Sequence, residues 1–135
     1  MADLGSITAV RPTDNTVQKR VKYGETIDAG ETVYFDTADA EYKLADASAS
    51  TTADVKGVAM TPGVDGGYGY IATGGDIILV GTTMAVGAVY VQSATAGKIA
   101  PEADLGSGEY VTSLGIASST TEIKLSLHVS GTAHA

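Results

Sequence analysis

Gly30-Glu31-Thr32-Val33-Tyr34-Phe35 returns later in the chain as Gly87-Ala88-Val89-Tyr90-Val91. Lys43-Leu44-Ala45 returns as Lys98-Ile99-Ala100, and Gly57-Val58-Ala59 as Gly115-Ile116-Ala117. The offsets are 56 (Tyr34 to Tyr90), 55 (Lys43 to Lys98) and 58 (Gly57 to Gly115). A turn glycine followed by three short apolar strands, met twice in the same order, predicts two copies of one small β unit, at about residues 24–61 and 82–117. The repeated positions are turn and strand formers and carry no acid–base or nucleophilic group, so the repeat points to a structural module.

Composition agrees. The 135 residues include 17 glycines and no cysteine, and only 6% are aromatic. Turn clusters recur every eight to twelve residues, as in all-β domains. The expected fold class is all-β, a small barrel or sandwich of short antiparallel strands with an extended N-terminal arm. Without cysteine there is neither a disulfide framework nor thiolate chemistry. Residues 1–6 lack the basic and apolar regions of an export signal, and the longest apolar run, Ile77–Val80, has the length of a strand rather than a membrane span.

Charge is divided unevenly. The net charge is −8. Residues 1–22 set Arg11, Lys19, Arg20 and Lys22 against Asp3 and Asp14, whereas residues 23–135 set fourteen acids against Lys43, Lys56, Lys98 and Lys124. An acidic body repels phosphate backbones, which argues against nucleic acid as a ligand. A basic segment on that body suits an acidic protein surface.

Along the chain, residues 1–22 show no clear period and read as an extended arm with one short strand around Ser6–Val10, separable from the rest and disordered in the free protein. Residues 23–129 form the β domain. Strands are predicted at Glu31–Asp36, Tyr42–Ala45, Val55–Thr61, Tyr68–Ala72, Asp76–Val80, Ala88–Gln92, Lys98–Ala100, Glu109–Ala117 and Thr121–Val129. Thr73-Gly74-Gly75-Asp76 reads as a hairpin turn between two of them. In the last strand Ile123, Leu125, Leu127 and Val129 alternate with polar residues, and residues 130–135 form a fraying, flexible tail.

Chemistry-bearing residues are sparse. His128 falls on the polar side of a strand and His134 in the tail, which supplies neither a metal set nor a triad. The carboxylate pairs Asp36 with Asp39 and Glu102 with Asp104 sit in turns, where such groups bond the backbone. The glycine clusters at residues 63–69 and 74–75 lack the Gly-Lys-Ser/Thr ending of a phosphate loop. No catalytic residue, metal or cofactor is expected. Tyr68 and Tyr70 share one face of a strand and read as a packing or oligomer face, or with Tyr110 as a stacking platform for sugars.

Taken together, Gly30-x-x-Val33-Tyr34, Lys43-Leu44-Ala45, Val55-x-Gly57-Val58-Ala59, Gly69-x-Ile71-Ala72 and the Asp76-Ile77 strand resemble the capsid decoration (cement) proteins of tailed bacteriophages, over about residues 24–129. The resemblance implies a β-tulip-like, non-enzymatic homotrimer on the outside of an expanded capsid, made in the host cytoplasm and carried in the virion. Its partner would be the major capsid protein, with no role for nucleic acid or membrane. The basic residues Arg11, Lys19, Arg20 and Lys22 match the capsid-contacting arm of such proteins in character. The alternative is a carbohydrate-binding or adhesive β module of a phage tail or surface protein; a small hydrolase or an enzyme accessory domain is a third reading.

Overall fold

The structure is a computed structural model that describes residues 3–134; Met1, Ala2 and Ala135, at the ends of the expected arm and tail, lie outside the described residues. The chain is all-β, an antiparallel sheet curled into a half-barrel. Ten strands follow one another: β1 (Ala9–Pro12), β2 (Val17–Lys22), β3 (Thr32–Asp36), β4 (Glu41–Leu44), β5 (Val55–Ala59), β6 (Tyr68–Val80), β7 (Val89–Gln92), β8 (Ile99–Pro101), β9 (Tyr110–Ala117) and β10 (Glu122–Ala133). Among the described residues a single 3-10 turn, Glu102–Asp104, interrupts them.

The repeat is a repeat of topology. In the first half the strands lie in the order β4-β3-β5-β6, and in the second β8-β7-β9-β10. Each half therefore comprises a hairpin, a third strand on the hairpin's inner edge and a fourth beside the third. Register aligns them more sharply than the sequence does. Thr32 faces Val58 and Val33 faces Gly57, with a bulge before Tyr34 meets Val55. Val89 faces Ile116 and Tyr90 faces Gly115, with the same bulge before Val91 meets Ser113. The equivalent of Tyr34 is thus Val91 and that of Lys43 is Ala100, one and two places on from the residues that the motifs pair by type. Gly57 and Gly115 do correspond, for a shared reason. A Cβ on Gly57 would lie 2.6 Å from the Ala72 carbonyl oxygen, and one on Gly115 2.0 Å from that of Lys124. Both halves need a strand without a side chain at the bulge.

Residues 73–76 do not form a hairpin. β6 runs unbroken for 13 residues and serves both halves. One of its edges pairs with β5 and then β10, and the other takes the N-terminal segment, with Val10 opposite Leu79 and Val21 opposite Gly69. Where β1 passes into β2 the segment bulges at residues 13–16. There the Thr13 and Thr16 hydroxyls donate to the Asp76 carbonyl (2.8 and 2.5 Å), and the Asp76 amide donates to Asn15 Oδ1 (3.0 Å). The glycines that resemble a turn accommodate this bulge.

Residues 3–22 are accordingly part of the β body and not a separable arm. At one end the Leu4 amide donates to the Ile99 carbonyl of β8 (2.7 Å). At the other, Tyr23 bridges Tyr42 of β4, and the Gly24 amide donates to the Tyr42 carbonyl (2.8 Å). Each end meets the outermost strand of one half. Val10 and Val21 are buried, and Leu4 and Ile7 pack on the core. The C-terminal residues likewise continue β10: Ala133 faces Tyr110, so residues 130–133 of the expected fraying tail are paired strand, and the His134 amide still donates to the Glu109 carbonyl (2.7 Å).

The core has two parts. The larger lies between the halves and unites Val55, Val58 and Ala72 with Ile77, Leu79, Tyr90, Leu114, Ile123 and Leu125. The smaller fills the first half around Tyr23, Ile27, Val33 and Ile71. The sheet of the first half is therefore covered on both faces.

Two predictions follow from this architecture. Deleting residues 3–22 should abolish cooperative urea unfolding, because it removes the strand from one whole edge of β6; an unchanged midpoint would contradict the closure. Gly115→Ala should cost about 3 kcal/mol, since the new methyl group meets main chain and not a yielding side chain; unfolding curves give the value.

Candidate interaction surface

In β2 every residue but Val21 is exposed, and register places two of its cations beside the exposed tyrosines of β6. Arg20 lies opposite Tyr70, and Lys22 opposite Tyr68. The Arg20 guanidinium stacks on the diagonal neighbour, 4.3 Å from the Tyr68 ring centroid. Tyr68 and Tyr70 are 56% and 45% exposed, far above the core aromatics, so this is an outward aromatic face edged by cations. Lys22 also reaches Glu41 Oε2 at 3.6 Å. Among the described residues, no strand pairs with the outer edge of β2 before the bridge at Tyr23.

The other expected site residues lie elsewhere. Lys19 is at the rim of the first half, donating to the Tyr42 hydroxyl (3.1 Å) with its ammonium 5.7 Å from that ring. Arg11 is exposed on β1, opposite Ile78, on the outer face of the second half. Tyr110 is half-buried at the start of β9, opposite Ala133. The three tyrosines thus divide between the halves, with Tyr68 and Tyr70 on β6 and Tyr110 on β9. The sequence signal for the Arg20–Tyr70 and Lys22–Tyr68 juxtaposition is the two-residue spacing of Arg20 and Lys22, which a reading of residues 1–22 as aperiodic passes over.

The remaining polar clusters hold structure together. Lys43 Nζ lies 2.8 Å from Asp36 Oδ2 and 2.6 Å from Asp39 Oδ2, tying the β3–β4 hairpin. The hydrogen bond from Lys43 lowers the Asp36 pKa, and the two carboxylates hold the Lys43 ammonium charged well above its ordinary range. Glu31 lines a cleft of about 180 Å³ with Leu4, Ile7, Asp28 and Lys98. Burial raises its pKa, although its Oε1 accepts the Asp28 amide (2.7 Å) and Lys98 Nζ is 3.9 Å from Oε2. Between the halves, the buried Thr32 hydroxyl donates to Gln92 Oε1, and the Gln92 amide donates to the Ala45 carbonyl (2.8 Å). Among the described residues, no three His, Cys, Asp or Glu side chains converge as a metal site. His128 is exposed on β10 opposite Ser113.

No model of a known protein family matches the sequence, and no curated protein is significantly similar to it.

The two shifted carboxylates should give opposite pH dependences. The folded chain binds the Glu31 proton more tightly than the unfolded chain does. That contribution to stability is complete below the ordinary value of 4.5 and is lost as pH rises through the raised folded value. For Asp36 the contribution is complete above the ordinary 3.8 and is lost as pH falls through the lowered folded value. Thermal melts from pH 2 to 7 should therefore show Glu31→Gln removing a decline on the neutral side and Asp36→Asn removing one on the acid side.

Proposed function

We propose that this chain is a bacteriophage capsid decoration (cement) protein that binds the outer surface of the expanded major capsid protein shell and stabilises it, without enzymatic activity. The observation that carries the reading is the basic, aromatic face of Arg20, Lys22, Tyr68 and Tyr70 beside an open strand edge, on a body that is otherwise acidic. Stacked arginine and half-exposed tyrosine are the residue types that contribute most to protein interfaces. An open edge offers main-chain hydrogen bonds to an extended segment of the partner. Charges along that edge also discourage unselective pairing between copies.

The resemblance of the sequence motifs is the second ground for the reading. Its motif residues Val33, Gly57, Val58, Ala59, Ile71 and Ala72 are core or bulge positions of this fold, so the resemblance rests on scaffold positions. Binding only the expanded shell stabilises that form by mass action, and many copies on one lattice turn modest contacts into durable ones. The threefold assembly that the resemblance implies would set three such faces around one shell axis. A carbohydrate-binding module fits less well, because Arg20 already covers a face of Tyr68 and Tyr110 lies in the other half.

Mixing the full chain with expanded, undecorated heads and pelleting them tests the proposal. Saturable co-pelleting is expected. The double variant Arg20→Glu/Lys22→Glu should bind about tenfold more weakly at low salt, with a smaller difference at high salt. Wild-type protein that stays in the supernatant at every salt concentration would refute the reading.

A further inference from the structure

In the first half, Thr32, Val58 and Ala72 form one cross-strand row over β3, β5 and β6. All three are fully buried, because this outer face of the first half packs against the second. Equivalent pairings in the second half run Val89–Ile116–Lys124 over β7, β9 and β10. That row is open: Ile116 is 50% exposed, where its counterpart Val58 is 0%. A shallow dent of about 440 Å³ lies beside Val89, Ile116 and Lys124. The duplicated design has a covered outer face in one half and the same face uncovered in the other.

We infer that the outer face of β7, β9 and β10 is a self-association surface, and that its occupant is the same face of a second copy, packed sheet to sheet about a twofold axis. Two observations name a second copy. In the first half, the covering element for this row is a sheet face of this same chain. The face is also charge-balanced on a chain whose net charge is −8: Lys124 and Arg11 stand among Glu122 and Asp76. Glu122 and Lys124 are two places apart on β10 and point the same way, and neither forms an ion pair among the described residues. A twofold axis near them sets each Lys124 against the partner copy's Glu122, the self-complementarity that an isologous interface requires. Ile116 and Val89 supply the apolar centre, with half-buried Ile78 beside them. This inference concerns the free protein and does not depend on the capsid reading.

Sedimentation of the full chain from about 1 to 200 µM tests it. A reversible dimer is expected. Ile116→Asp, at an exposed position, should raise the dissociation constant at least about tenfold with an unchanged far-ultraviolet spectrum. Lys124→Glu alone should weaken the dimer, and Glu122→Lys/Lys124→Glu should restore it, a readout that survives if the Ile116 variant fails to fold. A monomer throughout the range overturns the inference. So does association that ignores both Ile116→Asp and Lys124→Glu, such as a trimer held through Tyr68 and Tyr70.

Discussion

Everything in this fold depends on β6 being paired along both edges. It is the last strand of the first half, the neighbour of β10 in the second, and the track on which the N-terminal segment lies. A strand so placed has its main-chain groups satisfied by protein over most of its length, and its inward residues Ile71, Ile77 and Leu79 are completely buried. The N-terminal segment then joins the two halves at their extremities, Leu4 to β8 and Tyr23 to β4. Between the two closures, the threonine and asparagine bonds to Asp76 pin the segment to the middle of β6.

Much of this was legible in the sequence because β patterning is local. Strands β3 to β5 and β7 to β10 are marked by alternation and by turn residues. The glycines of the bulge, Gly57 and Gly115, are visible as a repeated motif although their cause, a carbonyl of the neighbouring strand, is not. What escaped was set by tertiary pairing. Gly74-Gly75 has the chemistry of a hairpin, and only the presence of residues 13–16 alongside makes it the middle of a strand. Residues 9–22 have no apolar period because their inward positions are few: Val10 and Val21 are buried while Val17 through Arg20 face solvent. The candidate surface was half legible. The tyrosines could be seen as a face, and the arginine and lysine as a cluster, but a register joining positions nearly fifty residues apart is written in no local pattern.

Duplication followed by asymmetry explains where surface is left for partners. Two equivalent halves cannot both bury the same face against each other when they stack in one direction: one is covered and its twin is left outward. The substitutions accord with this. Positions that carry Thr32, Val58 and Ala72 in the covered half carry Val89, Ile116 and Lys124 in the uncovered one, so a charged group appears at the end of the row where a small apolar one was required.

The route of the N-terminal segment also has a consequence for how the molecule comes to be made. Val10 pairs with Leu79, and Leu4 bonds Ile99, so residues 4–10 wait for partners that are synthesised much later. Contacts so remote in sequence slow folding, since the entropy of closing the loop is lost before the contact rewards it. Until β10 is in place, residues 75–78 of β6 lack a partner on one edge and the central core lacks Ile123 and Leu125. Such a chain is at its most sticky until β10 has joined β6, and β10 is the piece that ends the exposure.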